Sequence, residues 1–313
     1  MHTNRITRRH ILKVAAGASI LATAAQGIPK QPMTIGISTL GFPGFTNAEL
    51  AKILAQQGIT TVQLFLNQTD SRYWKYNGRS DLSDMTAARS KSIAALYRDA
   101  GLHIHSLGVY TNLIHPDKDE RRKNLAYFED MMKIARAMDV RYLISEAGHY
   151  HSEEPAPRVA HHFQEQVWKQ MVDTGKHLAR LAKQHDVTVL LEPFFRGFLC
   201  TAKRTRVFLE EIDSPHVRAL LDPANLLEAN DLNEMFDQLT PWIGCLHAKD
   251  RTLHVDRGVP AGQGDLDYPQ FVSLAAQHTP HAPLILEYVG PNDYLRTLQH
   301  LRDTLQKADT RTH

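Results

Sequence analysis

The 313-residue chain has little cysteine: two residues, Cys200 and Cys245. They form no C-x-x-C pair, so a disulfide framework and a cysteine-built zinc site are both excluded, and the two read as reduced, partly buried thiols. There is no excess of either charge. Lys+Arg 36 against Asp+Glu 34 leaves +2, too even for the electrostatic footprint of a nucleic-acid-binding protein, and no nucleic-acid partner is expected. No apolar run reaches the roughly 20 residues that a membrane-spanning helix needs. No Gly-rich loop ends in Lys-Ser/Thr, so the cradle that binds nucleotide phosphates is missing. Linkers rich in Pro and Ser, repeats and low-complexity blocks are also lacking, which speaks for one continuous domain. Histidine, by contrast, is plentiful at 18. It is the commonest metal-ligating side chain, and the number invites a search for a site.

The first 27 residues read as an address. Thr7-Arg8-Arg9-His10-Ile11-Leu12-Lys13 carries an arginine pair, Val14 to Ala25 is a short apolar, Ala-rich segment, and Ala22-Thr23-Ala24 offers a small-x-small cleavage site. This order resembles a bacterial twin-arginine (Tat) signal. The resemblance implies the Tat export machinery as a partner and export of an already folded protein with its cofactor loaded. The mature protein, over 28–313, would be periplasmic or extracellular, without stable membrane insertion.

From Met33 onward, short β-rich runs alternate with longer stretches of helical apolar spacing. Strands are predicted over Met33–Ser38, Thr61–Leu66, His103–Val109, Tyr142–Ala147, Thr188–Glu192, Arg218–Asp222, Ile243–Ala248 and Leu284–Val289. Helices are predicted over Asn47–Gln57, Thr86–Ala100, Glu120–Met138, His161–His185, Lys203–Ile212, Leu232–Leu239, Tyr268–Gln277 and Asp293–Lys307. Gly58 and Gly101 stand just past helix ends, where a left-handed residue belongs. Strict β-then-α alternation implies parallel pairing, and eight units imply an α/β fold of the closed (β/α)₈ TIM-barrel type. Long segments follow some of the strands: 67–85, with Tyr73, Trp74 and Tyr76, then 149–160 and 250–267. Loops of this length usually bind or cover something.

The last four strands end alike: Leu190-Leu191-Glu192, Leu220-Leu221-Asp222, Cys245-Leu246-His247 and Leu286-Glu287. The C-terminal ends of barrel strands face the active site. A carboxylate placed there is costly unless partnered, and three of them converging with an imidazole would repel one another without a cation. The donor set suits one divalent ion. Its oxygen content favours Mn²⁺ or Mg²⁺, and the imidazole brings Co²⁺ and Zn²⁺ within range. Strand parity agrees, since Cys245, His247 and Lys249 share one face, as do Leu190 and Glu192.

These residues resemble the xylose isomerase-like TIM-barrel superfamily, also called the sugar phosphate isomerase/epimerase family, across 33–308. The resemblance implies that Glu192, Asp222, His247 and Glu287 bind the metal. It also implies that Glu192 and Glu287 form the acid/base pair known from its ketose 3-epimerase branch. Glu192-Pro-Phe-Phe-Arg196 is similar to that branch's Glu-x-x-x-Arg, which makes Arg196 a substrate-binding candidate. The run from Pro260 to Tyr268 is similar to the turn before the seventh helix. Two departures stand out. Asn225 occupies the place of a substrate-binding histidine, and Phe198 that of a second glutamate. Asn225 is retained as a substrate-binding candidate, while the ligands of a trinuclear repair-nuclease site are missing.

An ion on the barrel axis could polarise a carbonyl and its neighbouring hydroxyl, so that a carboxylate can remove the adjacent C–H proton. Glu192 and Glu287 are the catalytic candidates. Through one enediolate, returning the proton gives epimerisation or isomerisation, and losing a β-substituent gives elimination. The chain is therefore expected to be a divalent-metal-dependent isomerase or epimerase acting on a non-phosphorylated keto-sugar. A dehydratase (lyase) on a keto-sugar or keto-glycoside, and an exported sugar-binding protein without turnover, are the alternatives. Lys249 and Glu146 are further substrate-binding candidates, Lys249 having a salt bridge to Asp250 or Asp222 as its structural alternative. His149 and His105 rank lower. Tyr73, Trp74 and Tyr76 form either an aromatic wall for a sugar face or a cluster that tethers their loop.

Overall fold

The structure is a computed structural model that describes residues 33–150 and 160–310. The proposed signal over 1–27 lies outside the described residues, as does most of the 149–160 loop. No described helix is long and apolar enough to cross a membrane.

Each predicted strand and helix is present. The chain runs β1 (Ile35–Ser38), α1 (Asn47–Gln56), β2 (Thr61–Leu64), α2 (Ala87–Asp99), β3 (His103–Gly108), α3 (Lys118–Ala137), β4 (Tyr142–Glu146) and α4 (Glu165–Gln184). It continues through β5 (Thr188–Glu192), α5 (Ala202–Ile212), β6 (Val217–Leu221), α6 (Leu232–Leu239) and β7 (Ile243–Asp250). It ends with β8 (Val259–Pro260), α7 (Tyr268–His278), β9 (Leu284–Leu286) and α8 (Tyr294–Thr310). Strands β1 to β7 and β9 pair in parallel, and the β6–β7 pairing closes the sheet into an eight-stranded barrel. The two-residue β8 pairs antiparallel with the end of β7 through Lys249 and Asp250, folding the following loop back over the rim.

Local chemistry sets the helix boundaries. Thr46 caps α1 in a reciprocal box with Glu49, and the side chains of Thr86, Asp117, Thr201, Asp231 and Asp267 cap α2, α3, α5, α6 and α7. Gly58 and Gly101 leave their helices at φ 69° and 85°, as their positions in the sequence imply. Helix α4 starts four residues later than expected. Residues Ala160–Phe163 form a separate 3-10 turn, and Gln164 begins the helix without a side-chain cap.

Alternation along the strands divides the apolar residues into two cores. The larger lies between sheet and helices. The smaller fills the barrel with Phe65, Tyr110, Ile144, Leu190, Leu220, Cys245 and Ile285. Cys245 and Leu190 are therefore inward, and parity carries His247 and Glu192 one layer further up, toward the C-terminal mouth.

Candidate metal centre

Glu192 is the last residue of β5, Asp222 follows β6, His247 lies within β7 and Glu287 follows β9. All four are buried, and one ligating atom from each lies within 4.8 Å of the others. Asp222 is fixed through its Oδ1, which accepts from the backbone N–H of Ala224 at 3.0 Å and caps the short turn at Pro223. His247 directs Nδ1 at the acids, 3.2 Å from Glu192, 3.4 Å from Glu287 and 3.8 Å from Asp222. Lys249 places Nζ 2.7 Å from Asp222 Oδ2 and 3.2 Å from Glu287 Oε2. Those two buried oxygens face the Lys249 ammonium and the His247 imidazole. Inward, buried and already faced by cationic groups, they fit a cation, and with Glu192 and the imidazole they make a three-carboxylate, one-nitrogen set.

The two glutamates differ in their surroundings. Glu192 is saturated: Tyr110 donates to Oε2 at 2.7 Å, Asn225 donates to Oε1 at 2.8 Å, and His247 adds its contact. Burial alone would raise the Glu192 carboxyl, but the charge and hydrogen bond of His247, with Lys249 and Tyr110, bring it down to about 2. The Glu287 carboxyl is pushed up, by burial first and by Glu192 and Asp222 beside it, against the pull of His247 and Lys249. Burial also opposes charge on His247, yet Glu287 and Glu192 raise the imidazole to about 10. The Lys249 ammonium is likewise held charged against burial by Asp222, Glu287 and Glu192.

The remaining sequence candidates separate. Glu146 stands beside Glu192 in the β4–β5 register and accepts from the Tyr76 hydroxyl at 2.9 Å. Burial, then the charge of Glu192, raises its carboxyl to about 8. Lys249 is in the centre of the cluster, and its partners are Asp222 and Glu287 rather than Asp250. Asn225 holds Glu192. Arg196 is not brought to the quartet: it is half exposed on the rim, 2.6 Å from Asp256 and over the Phe195 ring. His149 is buried, its backbone carbonyl accepting from Asn112. The three aromatic residues of the 67–85 loop divide between both expectations. Tyr73 is a tether, bonded to Asp84, while Trp74 and Tyr76 line the mouth against Phe65 and Tyr110. His105 faces the barrel and stacks on Tyr142 at 4.9 Å.

Three residues at the site were not singled out in the sequence. Tyr110 orients Glu192. Gln63, from β2, accepts from His247 Nε2 at 2.7 Å. Tyr288 stands half exposed beside Glu287 with its ring 4.7 Å from Lys249 Nζ, held at a left-handed φ of 56°. Gln63 did leave a signal, a long polar side chain in the apolar run Val62-Gln63-Leu64-Phe65.

Residues 51–304, well over half the chain, match a family model described as xylose isomerase-like TIM barrel. A 3-dehydroshikimate dehydratase of Bacillus anthracis is 28% identical over 147 residues, 45% of this chain and 48% of that protein. The match thus spans about half the length of that curated relative. Among solved structures, a D-tagatose 3-epimerase-like protein superposes with a TM-score of 0.73 at 15% identity, covering 90% of this chain and 100% of the other. The IolI protein with a bound zinc atom superposes with a TM-score of 0.68 at 15% identity, covering 88% and 98%. At these identities the superpositions establish the fold alone.

Proposed function

The chain belongs to the xylose isomerase-like TIM-barrel family, and from that premise we propose that it is a divalent-metal-dependent isomerase or epimerase of a non-phosphorylated keto-sugar. The observation that carries the reading is the pair of buried glutamates on either side of His247, from strand ends that β6 and β7 separate. Glu192, Asp222, His247 and Glu287 would hold the ion, Mn²⁺ before Mg²⁺, Co²⁺ or Zn²⁺ on the oxygen content of the set. When bound, the ion supplies Lewis-acid polarisation of a carbonyl and its adjacent hydroxyl.

The chain's own residues handle the proton. Glu192, ionised and oriented by Tyr110 and Asn225, is placed to take a proton from the carbon next to the carbonyl. Glu287, whose carboxyl is raised, is placed to return one from the other side. Lys249 offers a cation to the oxygen on which negative charge develops. Trp74 and Tyr76 supply apolar area at the mouth for a sugar face.

Elimination is the second reading. A carboxyl raised to about 8 at Glu146, by burial and then by the charge of Glu192, favours the protonated form that could donate to a leaving hydroxyl, and the curated relative is a dehydratase. The test is proton exchange in heavy water with a panel of aldoses, ketoses and 3-keto-sugars. The wild type is expected to incorporate one carbon-bound deuterium or to expel a β-group. Glu192→Gln and Glu287→Gln are each expected to lose about 10²–10⁴-fold in turnover. Gln variants that exchange as fast as wild type would refute the acid/base pair. Binding without exchange or turnover would leave a sugar-binding protein. We also propose export by the twin-arginine route to the periplasm or beyond. Arg8→Lys combined with Arg9→Lys should retain the precursor in the cytoplasm, and continued export of that variant would refute the signal.

A further inference from the structure

We infer that Gln63 is the positioning residue that fixes the tautomer of His247, so that Nδ1 presents its lone pair to the three carboxylates. The inference rests on the quartet being a metal site. Gln63 and His247 are both fully buried and lie 184 residues apart in sequence, and β9 and β1 stand between their strands in the sheet. Their contact crosses the barrel interior, and at 2.7 Å it is a short hydrogen bond. The Gln63 oxygen only accepts, so the hydrogen on this bond belongs to His247 Nε2. A neutral imidazole carries one N–H. With that hydrogen held on Nε2, loss of the other proton when an ion binds would leave Nδ1 as the electron-pair donor directed at Glu192, Asp222 and Glu287.

Without Gln63 the preference inverts. The nearest acceptor of an imidazole N–H would then be Glu192 Oε1, 3.2 Å from Nδ1, and the proton would settle on the nitrogen that must face the cation. The choice of an amide also has a reason. A carboxylate would serve equally as acceptor, but would add a fourth buried negative charge to three acids already close together. Partners of this kind, which orient a metal-binding histidine through its other nitrogen, typically change metal affinity by about 10–100-fold when removed.

The experiment uses full-length chain, dialysed against chelator and titrated with Co²⁺, with binding followed by its visible absorption. Wild type is expected to take up one Co²⁺ per chain. Gln63→Leu, which fills similar space without an acceptor, should bind about 10–100-fold more weakly. Gln63→Glu, which restores an acceptor, should recover most of that loss. A role in packing alone predicts the reverse order, with Leu tolerated and the buried Glu harmful. Wild-type affinity in Gln63→Leu overturns the tautomer assignment while leaving the metal site intact. Absence of Co²⁺ binding by wild type overturns both.

A second measurement needs no variant at Gln63. In the Zn²⁺-loaded wild type labelled with ¹⁵N-histidine, the His247 ring is identified by its loss in His247→Asn. It should show a protonated Nε2 and a ligated Nδ1. A ring ligating through Nε2, or protonated on Nδ1, refutes the inference even if Gln63→Leu fails to fold.

Discussion

Removing the divalent ion should lower the melting temperature, by an amount that follows from linkage. Three carboxylates contribute ligating atoms within 4.8 Å of one another. At about 4 Å and an effective dielectric near 20, each pair of unit charges repels by about 4 kcal/mol. Lys249 and protonated His247 offset much of this in the metal-free barrel, which is why that form is expected to stay folded. The gain from loading is then set by affinity. At an ion concentration about 100 times Kd, binding to the native state alone adds about 2.7 kcal/mol. In a barrel of this size each kcal/mol shifts Tm by roughly 2–4 °C, so the loaded protein should melt roughly 5–10 °C higher. Asp222→Asn isolates the cause. It keeps the volume and an oxygen that can cap Ala224, but removes the charge and the oxygen that meets Lys249. Scanning calorimetry of chelated and Mn²⁺-loaded protein should therefore give the shift in wild type and little of it in Asp222→Asn. Equal melting temperatures with and without ion in wild type, or a full shift in Asp222→Asn, would refute the reasoning.

Two further outcomes are expected. Burial, aided by the nearby charge of His103, lowers His105 from 6.5 to about 4, so the unfolded chain takes up its proton first as pH falls. Stability present above pH 6.5 should drop by about 3 kcal/mol on approaching pH 4, and His105→Phe should flatten that part of the curve in urea unfolding series; parallel wild-type and variant curves would contradict this. A Cβ built at Gly108 would overlap the Phe65 ring, which stacks on Tyr110. Gly108→Ala should therefore cost about 1–3 kcal/mol and slow turnover by moving the hydroxyl that orients Glu192; unchanged midpoint and rate would show that the ring has room.

The sequence carried the barrel because each element has its own signal: an apolar β-rich run, then a capped amphipathic stretch. Strand ends moved where the backbone does something local. β7 runs two residues further than expected because Lys249 and Asp250 pair with β8, itself too short and proline-containing to leave a strand pattern. β9 stops at Leu286: Glu287 keeps one backbone bond to Ala248 of β7, and Tyr288 then turns left-handed. The quartet was legible because its members occupy equivalent places, one after another, at strand ends. The roles of Gln63 and Tyr110 were not, even though Gln63 stands out as polar in an apolar run, since both depend on closure of the barrel, which brings together side chains that no spacing relates. Arg196 has a partner that its motif did not announce. Its place in a motif suggested a contact with substrate, and on the rim the loop after β7 supplies Asp256 as its ion-pair partner.

Lys249 has a consequence for which ions the cluster will accept. Its ammonium is tethered against Asp222 and Glu287, so it competes for those oxygens at a fixed, high effective concentration that dilution cannot reduce. A monovalent ion arriving from solution brings no more charge than the ammonium it must displace, and it must also give up its own freedom to move. A divalent ion brings twice the charge and can also engage Glu192 and the imidazole. If the cluster holds an ion as proposed, the lysine would set a threshold: sodium and potassium would meet a resident competitor of their own valence, and ions of higher charge density would be favoured.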